Sequence, residues 1–129
     1  MILWNLFEAR LFKHDFRKYK SNIQNIHLAS DLIDTTLQYL QNRYITNGST
    51  NEQFKRLRLR SNNDSPSIQR VLLGLTNNSN DTIKTIITII YRYRNNLFHG
   101  EKTIASLPRQ KDNFVHANKF LIACLEANK

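Results

Sequence analysis

Three side chains able to do chemistry stand close together near residue 95. In the stretch "YRYRNNLFHG", residues 91–100, Arg94 and Asn95 are adjacent and His99 follows four residues later. On a helix, positions four apart lie one above the other, so Asn95 and His99 share a flank, with Arg94 on the adjoining one. Such a turn offers a fixed cation, an amide and an imidazole. An arginine fork matches two phosphate oxygens at once. A histidine, with an unperturbed pKa of about 6.5, exchanges protons near neutrality. Together they suit an anionic substrate with protons to move. Each residue alone has a plainer use. A histidine at a helix end offsets the dipole, Asn-Asn before Gly100 is common helix-ending vocabulary, and an arginine can fold its stem over an apolar face. The combination is what points to chemistry.

The element that must carry these groups begins in the apolar run "TIKTIITII". Its pattern predicts a helix from Asp81 towards His99, capped by Asn80 or Ser79 and stopped at Gly100. With Ile83 at zero on a helical wheel, Ile87, Ile90 and Leu97 fall within about 40° of it, and Arg94 at roughly 20° sits among them. A guanidinium buried unpaired there would cost several kcal/mol, on the order of a domain's whole stability. Nearby acids are few, since Asp81 is over three turns away and Glu101 lies beyond the helix end. A binding cleft or a subunit interface is therefore the expected setting for Arg94.

The remaining elements also read as helices. From Ile2 to about Lys20, Leu3, Leu6, Phe7, Phe12, Phe16 and Tyr19 recur at helical spacing, and Arg10, Lys13, Arg17 and Lys20 form a basic stripe. A second helix is expected from roughly Asn22 to Tyr44, with Ile26, Ile33, Leu37, Leu40 and Tyr44 inward, broken by "ITNGSTNEQ". "FKRLRLR", residues 54–60, reads as a basic helical turn or loop. Ser65 is the expected N-cap of a short helix with Pro66 at its first position. A last helix spans about Arg109 to Ala127, with Phe114, Ala117, Phe120, Leu121 and Cys124 inward. Only 3 glycines and 2 prolines occur, which argues against a turn-rich β fold. An all-α fold follows, an up-and-down bundle of four to five helices forming one domain over residues 1–129.

Charge narrows the partners. Nineteen Lys and Arg against 10 Asp and Glu give a net +9, a balance that favours a polyanion, most often nucleic acid. No apolar run approaches the roughly 20 residues of a membrane span, and the start lacks the pattern of a secretory signal. The lone cysteine, Cys124, reads as a buried, inert thiol in a reducing compartment, so a cytoplasmic location is expected. His14, His27 and His116 show no ligand spacing with one another or with Cys124, and no glycine-rich phosphate loop is present; neither a metal nor a cofactor is expected.

"RNNLFHG" resembles the signature of the HEPN superfamily, whose ribonuclease members carry Arg, four to six residues and then His, often with Asn directly after the Arg. Arg94, Asn95 and His99 match that pattern with four intervening residues, and the chain is similar to bacterial HEPN toxins and defence proteins. The resemblance covers seven residues in detail and the helical layout in outline. It implies a HEPN-like bundle, a homodimer that shares one cleft, and metal-independent cleavage of single-stranded RNA. His99 would be the acid or base, Arg94 would stabilise the transition state, and Asn95 would position the phosphate or orient His99. Arg10, Lys13, Arg17, Lys55, Arg56, Arg58, Arg60 and Arg92 are the candidates for tracking the RNA backbone, although for such cations a solvated face is the more common role. Tyr91 and Tyr93 fit core packing better than base stacking. A toxin or phage-defence role would further imply an antitoxin or regulatory protein as partner. Two other functions compete: a non-catalytic HEPN-like module binding RNA, a nucleotide or a partner protein, and a plain helical interaction domain with Arg94 at its interface.

Overall fold

The computed structural model describes residues 4–7, 9, 28–60, 63–98 and 107–127. Residues 4–7 and 9 are helical. Then come α1 (Ser30–Tyr44), a two-stranded hairpin β1 (Ile45–Thr46) and β2 (Ser49–Thr50), and the single turn α2 (Glu52–Lys55). Three further helices follow: α3 (Ser65–Leu72), α4 (Ser79–Phe98) and α5 (Leu107–Ala127). The described chain is thus mostly helical, and among the described residues no helix is long and apolar enough to cross a membrane.

The helix α4 runs through the middle of the core. Every residue from Thr85 to Ile90 is buried, so this stretch has no solvent face. The threonines tolerate burial because their hydroxyls bond back to the preceding turn: Thr82 Oγ1 donates to the Asn78 carbonyl (3.1 Å) and Thr88 Oγ1 to that of Lys84 (2.8 Å). Helices α1 and α3 pack on α4, and α1 also contacts α5. Trp4 and Phe7, both fully buried, bring the N-terminal helical residues onto it, the Trp4 ring lying 5.5 Å from Tyr91. From α5, Ala117, Phe120, Leu121 and Cys124 enter the core with Phe114 at its edge. Burial pushes the Cys124 thiol up to about 12, which keeps it protonated and unreactive.

Several boundaries differ from the sequence expectations. Leu28 and Ala29 are not helical, so the element expected over 22–44 begins at Ser30 within the described residues. The break after Tyr44 is a hairpin, with Ile45 opposite Thr50 and Thr46 opposite Ser49. Its turn, Asn47-Gly48, takes φ of +53° and +78°, the left-handed pair that asparagine and glycine accommodate best. The cap of α4 is Asn78 rather than Ser79 or Asn80, its Oδ1 accepting from the Asp81 amide at 3.1 Å. At α3 the N-cap is Asp64 in a left-handed conformation, and Ser65 is already inside the helix. The basic segment does form one helical turn followed by irregular chain.

Two buried phenols join α1 to α4. Tyr44 and Tyr93 share a hydrogen bond of 2.5 Å between their hydroxyls. Burial pushes Tyr44 up to about 12, against the opposing pull of its bond to Tyr93, and pushes Tyr93 well above the ordinary value of 10.0. Both therefore hold their protons more tightly folded than unfolded. Stability should be unaffected by these groups below about pH 10 and fall as pH rises from about 10 through 12. Denaturant midpoints measured across that range check this, and Tyr44→Phe should flatten the decline. The variant should also cost about 1–3 kcal/mol, because the Tyr93 hydroxyl loses its buried partner.

Candidate functional site

The last described turns of α4 do not bury the face that the apolar stripe projected. At the C-terminal end the fully buried positions are Ile89, Arg92, Tyr93 and Asn96, spaced three, four and seven residues from the first. Arg94 and Asn95 lie off this face and are half-buried. Arg94 is thus half-buried as a residue, with its Nε shielded from solvent. Its Nη1 donates to Asn95 Oδ1 at 2.9 Å, which swings the cation towards the flank that Asn95 occupies.

Among the described residues the buried arginine is Arg92, only 4 % exposed. Its Nε donates to the Leu57 carbonyl at 3.1 Å, and its Nη2 donates to Asn96 Oδ1 at 3.2 Å. Asn96, 2 % exposed, completes the arrangement by donating from Nδ2 to the carbonyls of Arg56 (3.3 Å) and Leu57 (3.5 Å). Arg92, expected as an RNA contact, is instead tied into the interior. Its Nε is spent on a backbone carbonyl and its Nη2 on the Asn96 side chain, both away from solvent. This corrects that assignment.

The clamp has a consequence for the basic segment. Irregular chain has no ladder of its own, so its carbonyls need donors from elsewhere. Arg92 and Asn96 supply them at the middle. Before the segment, Asn51 Oδ1 accepts from the Phe54 amide (3.1 Å), and its Nδ2 donates to the Arg43 carbonyl (2.9 Å). At the far end Asn63 Oδ1 accepts from the Arg60 amide at 2.7 Å, and the Asn63 amide donates to the Arg60 carbonyl at 2.9 Å. Phe54 and Leu57 are buried, while Lys55, Arg56, Arg58 and Arg60 are all exposed. Arg58 takes φ of +54°, a left-handed bend unusual for a long side chain. The salt bridge from Lys55 to Glu52 (3.1 Å) is solvent-exposed and so worth little.

The main chain of this exposed cationic segment is thereby held at Arg56 and Leu57 against the turns of α4 that carry Arg92 and Asn96. Around the helix axis Asn95 stands about 60–100° from Arg92 and Asn96, whereas Arg94 leaves on nearly the opposite side. Asn95 thus lies between the basic segment and the Arg94 guanidinium. The structure brings the backbone of Arg56 and Leu57 to the turns of α4 that also carry Arg94 and Asn95, with Arg94 on the far side of the helix. His99, Arg10, Lys13 and Arg17 lie outside the described residues.

Comparison with known proteins yields no matching family model, no matching curated protein and no matching solved structure.

Elsewhere the described residues offer less chemistry. They include no group of three or more His, Cys, Asp or Glu able to hold a metal ion. A cavity of about 500 Å³ opens between the end of α1, the hairpin and the end of α3, lined by residues such as Gln41, Ile45 and Leu72, and has no ionisable side chain. A polar chain links α1 to α5: Tyr39 Oη donates to Asn113 Oδ1 (2.6 Å), and Asn113 Nδ2 donates to Gln110 Oε1 (2.7 Å). His116 stacks on Tyr39 with ring centroids 3.9 Å apart. These bonds satisfy buried Gln110 and Asn113 and account for them structurally. Tyr93 likewise is a core residue and Tyr91 packs on Trp4, as core packing would have them.

The sequence expectations include neither a role for Asn96 nor an interior role for Arg92. The signal was present. Arg92 and Asn96 are four apart and share a face, the same relation that singled out Asn95 and His99.

Proposed function

We propose that the chain is a metal-independent endoribonuclease of HEPN type, a helical bundle acting as a homodimer on single-stranded RNA. A toxin or phage-defence effector is the corresponding cellular role, restrained by an antitoxin or regulatory protein. The observation that carries this reading is the clamp, which holds an exposed run of Lys55, Arg56, Arg58 and Arg60 against the helix turns bearing Arg94 and Asn95. A cleavage site needs cations to bring the phosphate chain in and a separate cation at the reacting phosphate; in this reading the exposed segment supplies the first and Arg94 the second. His99 takes the proton of the ribose 2′-OH as it attacks the neighbouring phosphorus, or gives one to the leaving 5′-oxygen. The products are a 2′,3′-cyclic phosphate and a 5′-OH. Arg94 offsets the charge that builds on the phosphoryl oxygens, and Asn95, already bonded to Arg94, orients it or the phosphate.

A site shared by two protomers has a specific genetic signature. Arg94→Ala and His99→Ala variants, each inactive alone, should recover cleavage when unfolded and refolded together, because a mixed dimer keeps one arginine and one histidine. Light scattering should report a dimer. No recovery from a confirmed mixed dimer would mean that each protomer works alone. The exposed cations also favour a second reading, a non-catalytic module that holds RNA without cutting it. That reading predicts tight binding and intact RNA.

A further inference from the structure

We infer that Arg92 and Asn96 are positioning residues for RNA entry. Their role is to hold the 54–60 backbone in the one shape that presents Arg56, Arg58 and Arg60 as a fixed phosphate-binding edge. This inference rests on the RNA reading above. It adds that guidance of the substrate is set by two buried side chains that never touch it.

The geometry supports this in three ways. First, the clamp grips main-chain carbonyls of Arg56 and Leu57, leaving the side chains of the segment free of this duty. Second, the two gripping residues are themselves locked, each at most 4 % exposed and bonded to the other through Arg92 Nη2 and Asn96 Oδ1. Third, Leu57 is buried while Arg56 and Arg58 on either side are exposed, and Arg58 is bent to φ +54°. Without the clamp, that irregular stretch has lost its carbonyl partners and would sample many shapes. Cations spread over many shapes make fewer simultaneous phosphate contacts, and the number of contacts sets how steeply affinity falls with salt.

The test is binding of a 2′-O-methyl single-stranded RNA, which cannot be cut, followed by fluorescence anisotropy from about 50 to 200 mM salt. Four proteins are compared: wild type, Asn96→Asp, Arg56→Gln/Arg58→Gln/Arg60→Gln, and the combination. Asn96→Asp keeps an acceptor for Arg92 and removes both bonds to the carbonyls; Asn96→Ala serves if the aspartate does not fold. The triple variant alters only exposed side chains and leaves the clamped carbonyls in place. With about 0.7 of slope per phosphate contact on a single strand, the triple variant should flatten the log–log salt dependence by about 2. Asn96→Asp should weaken binding about tenfold and flatten the slope by about 1. Added to the triple variant it should change neither, although thermal stability falls by the same amount in both backgrounds. A merely structural Asn96 would lower the melting temperature and leave affinity and salt slope untouched, or would weaken binding equally in both backgrounds; either result overturns the inference while the RNA reading stands. A wild type that binds no RNA overturns both.

Discussion

Replacing His99 with alanine should lower RNA cleavage by about 10²–10⁴-fold, the usual worth of a positioned acid or base. Arg94→Ala should lower it by about 10²–10³-fold, the usual worth of one group aimed at developing charge. Both losses should appear in the cleavage step at saturating RNA, since neither residue belongs to the basic edge. Arg94→Lys should recover only a small part. A lysine keeps the charge but not the planar fork, and it cannot reproduce the bond to Asn95 and the grip on phosphate together. Arg94 is half-buried and outside the core cluster, so the variant should unfold within about 1 kcal/mol of the wild type. Single-turnover cleavage and denaturant unfolding on the same samples separate the two effects. A variant that loses activity only because it unfolds would argue for structural duty alone.

The largest effect on stability is expected at Trp4. This side chain is fully buried, with its ring 5.3 Å from Phe7 and 5.5 Å from Tyr91. Tyr91 lies on α4 just before the clamp and the candidate site, so the N-terminal helical residues brace the helix that bears them. Trp4→Ala removes a large side chain from a place with nothing of equal size to refill it, a change worth about 3–5 kcal/mol. For a chain of this size the midpoint of thermal unfolding should drop by on the order of 10–20 °C. Circular dichroism at 222 nm is the appropriate probe, because Trp4 is the sole tryptophan. A drop of only a few degrees would mean that the N-terminal residues are not part of the cooperative unit.

The helical character of the chain was legible from periodicity, and so was much of the core. Leu40 and Tyr44 on α1 are inward as their spacing required, as are Ala117, Phe120, Leu121 and Cys124 on α5. Two other features were harder to see, each for a physical reason. A wheel assumes one buried face, but α4 is enclosed on all sides over 85–90, so its apolar stripe does not say which face stays buried beyond Ile90. The deep face turns to Arg92, Tyr93 and Asn96, and the arginine that needed explaining was Arg92. The hairpin was missed because Ile45–Thr50 is too short for alternation to register, leaving Asn47-Gly48 as the only cue. Loop structure at 54–60 depends on donors some 35–40 residues away, which no local pattern encodes. Within the candidate site, Arg94 and Asn95 were singled out from type and spacing, and the structure adds the hydrogen bond between them.

The central claim is that these residues cut RNA by moving protons around a phosphate, with no metal involved. Its most direct measurement is incubation of the purified chain with a single-stranded RNA in excess EDTA, alongside the same strand carrying a 2′-deoxy residue at the cleaved position. The expected result is cleavage of the RNA to a 2′,3′-cyclic phosphate and a 5′-OH, with the deoxy-substituted strand left whole at that position. Intact RNA in the presence of folded, dimeric protein would contradict the account. So would cutting of the deoxy-substituted site, or cleavage that EDTA abolishes.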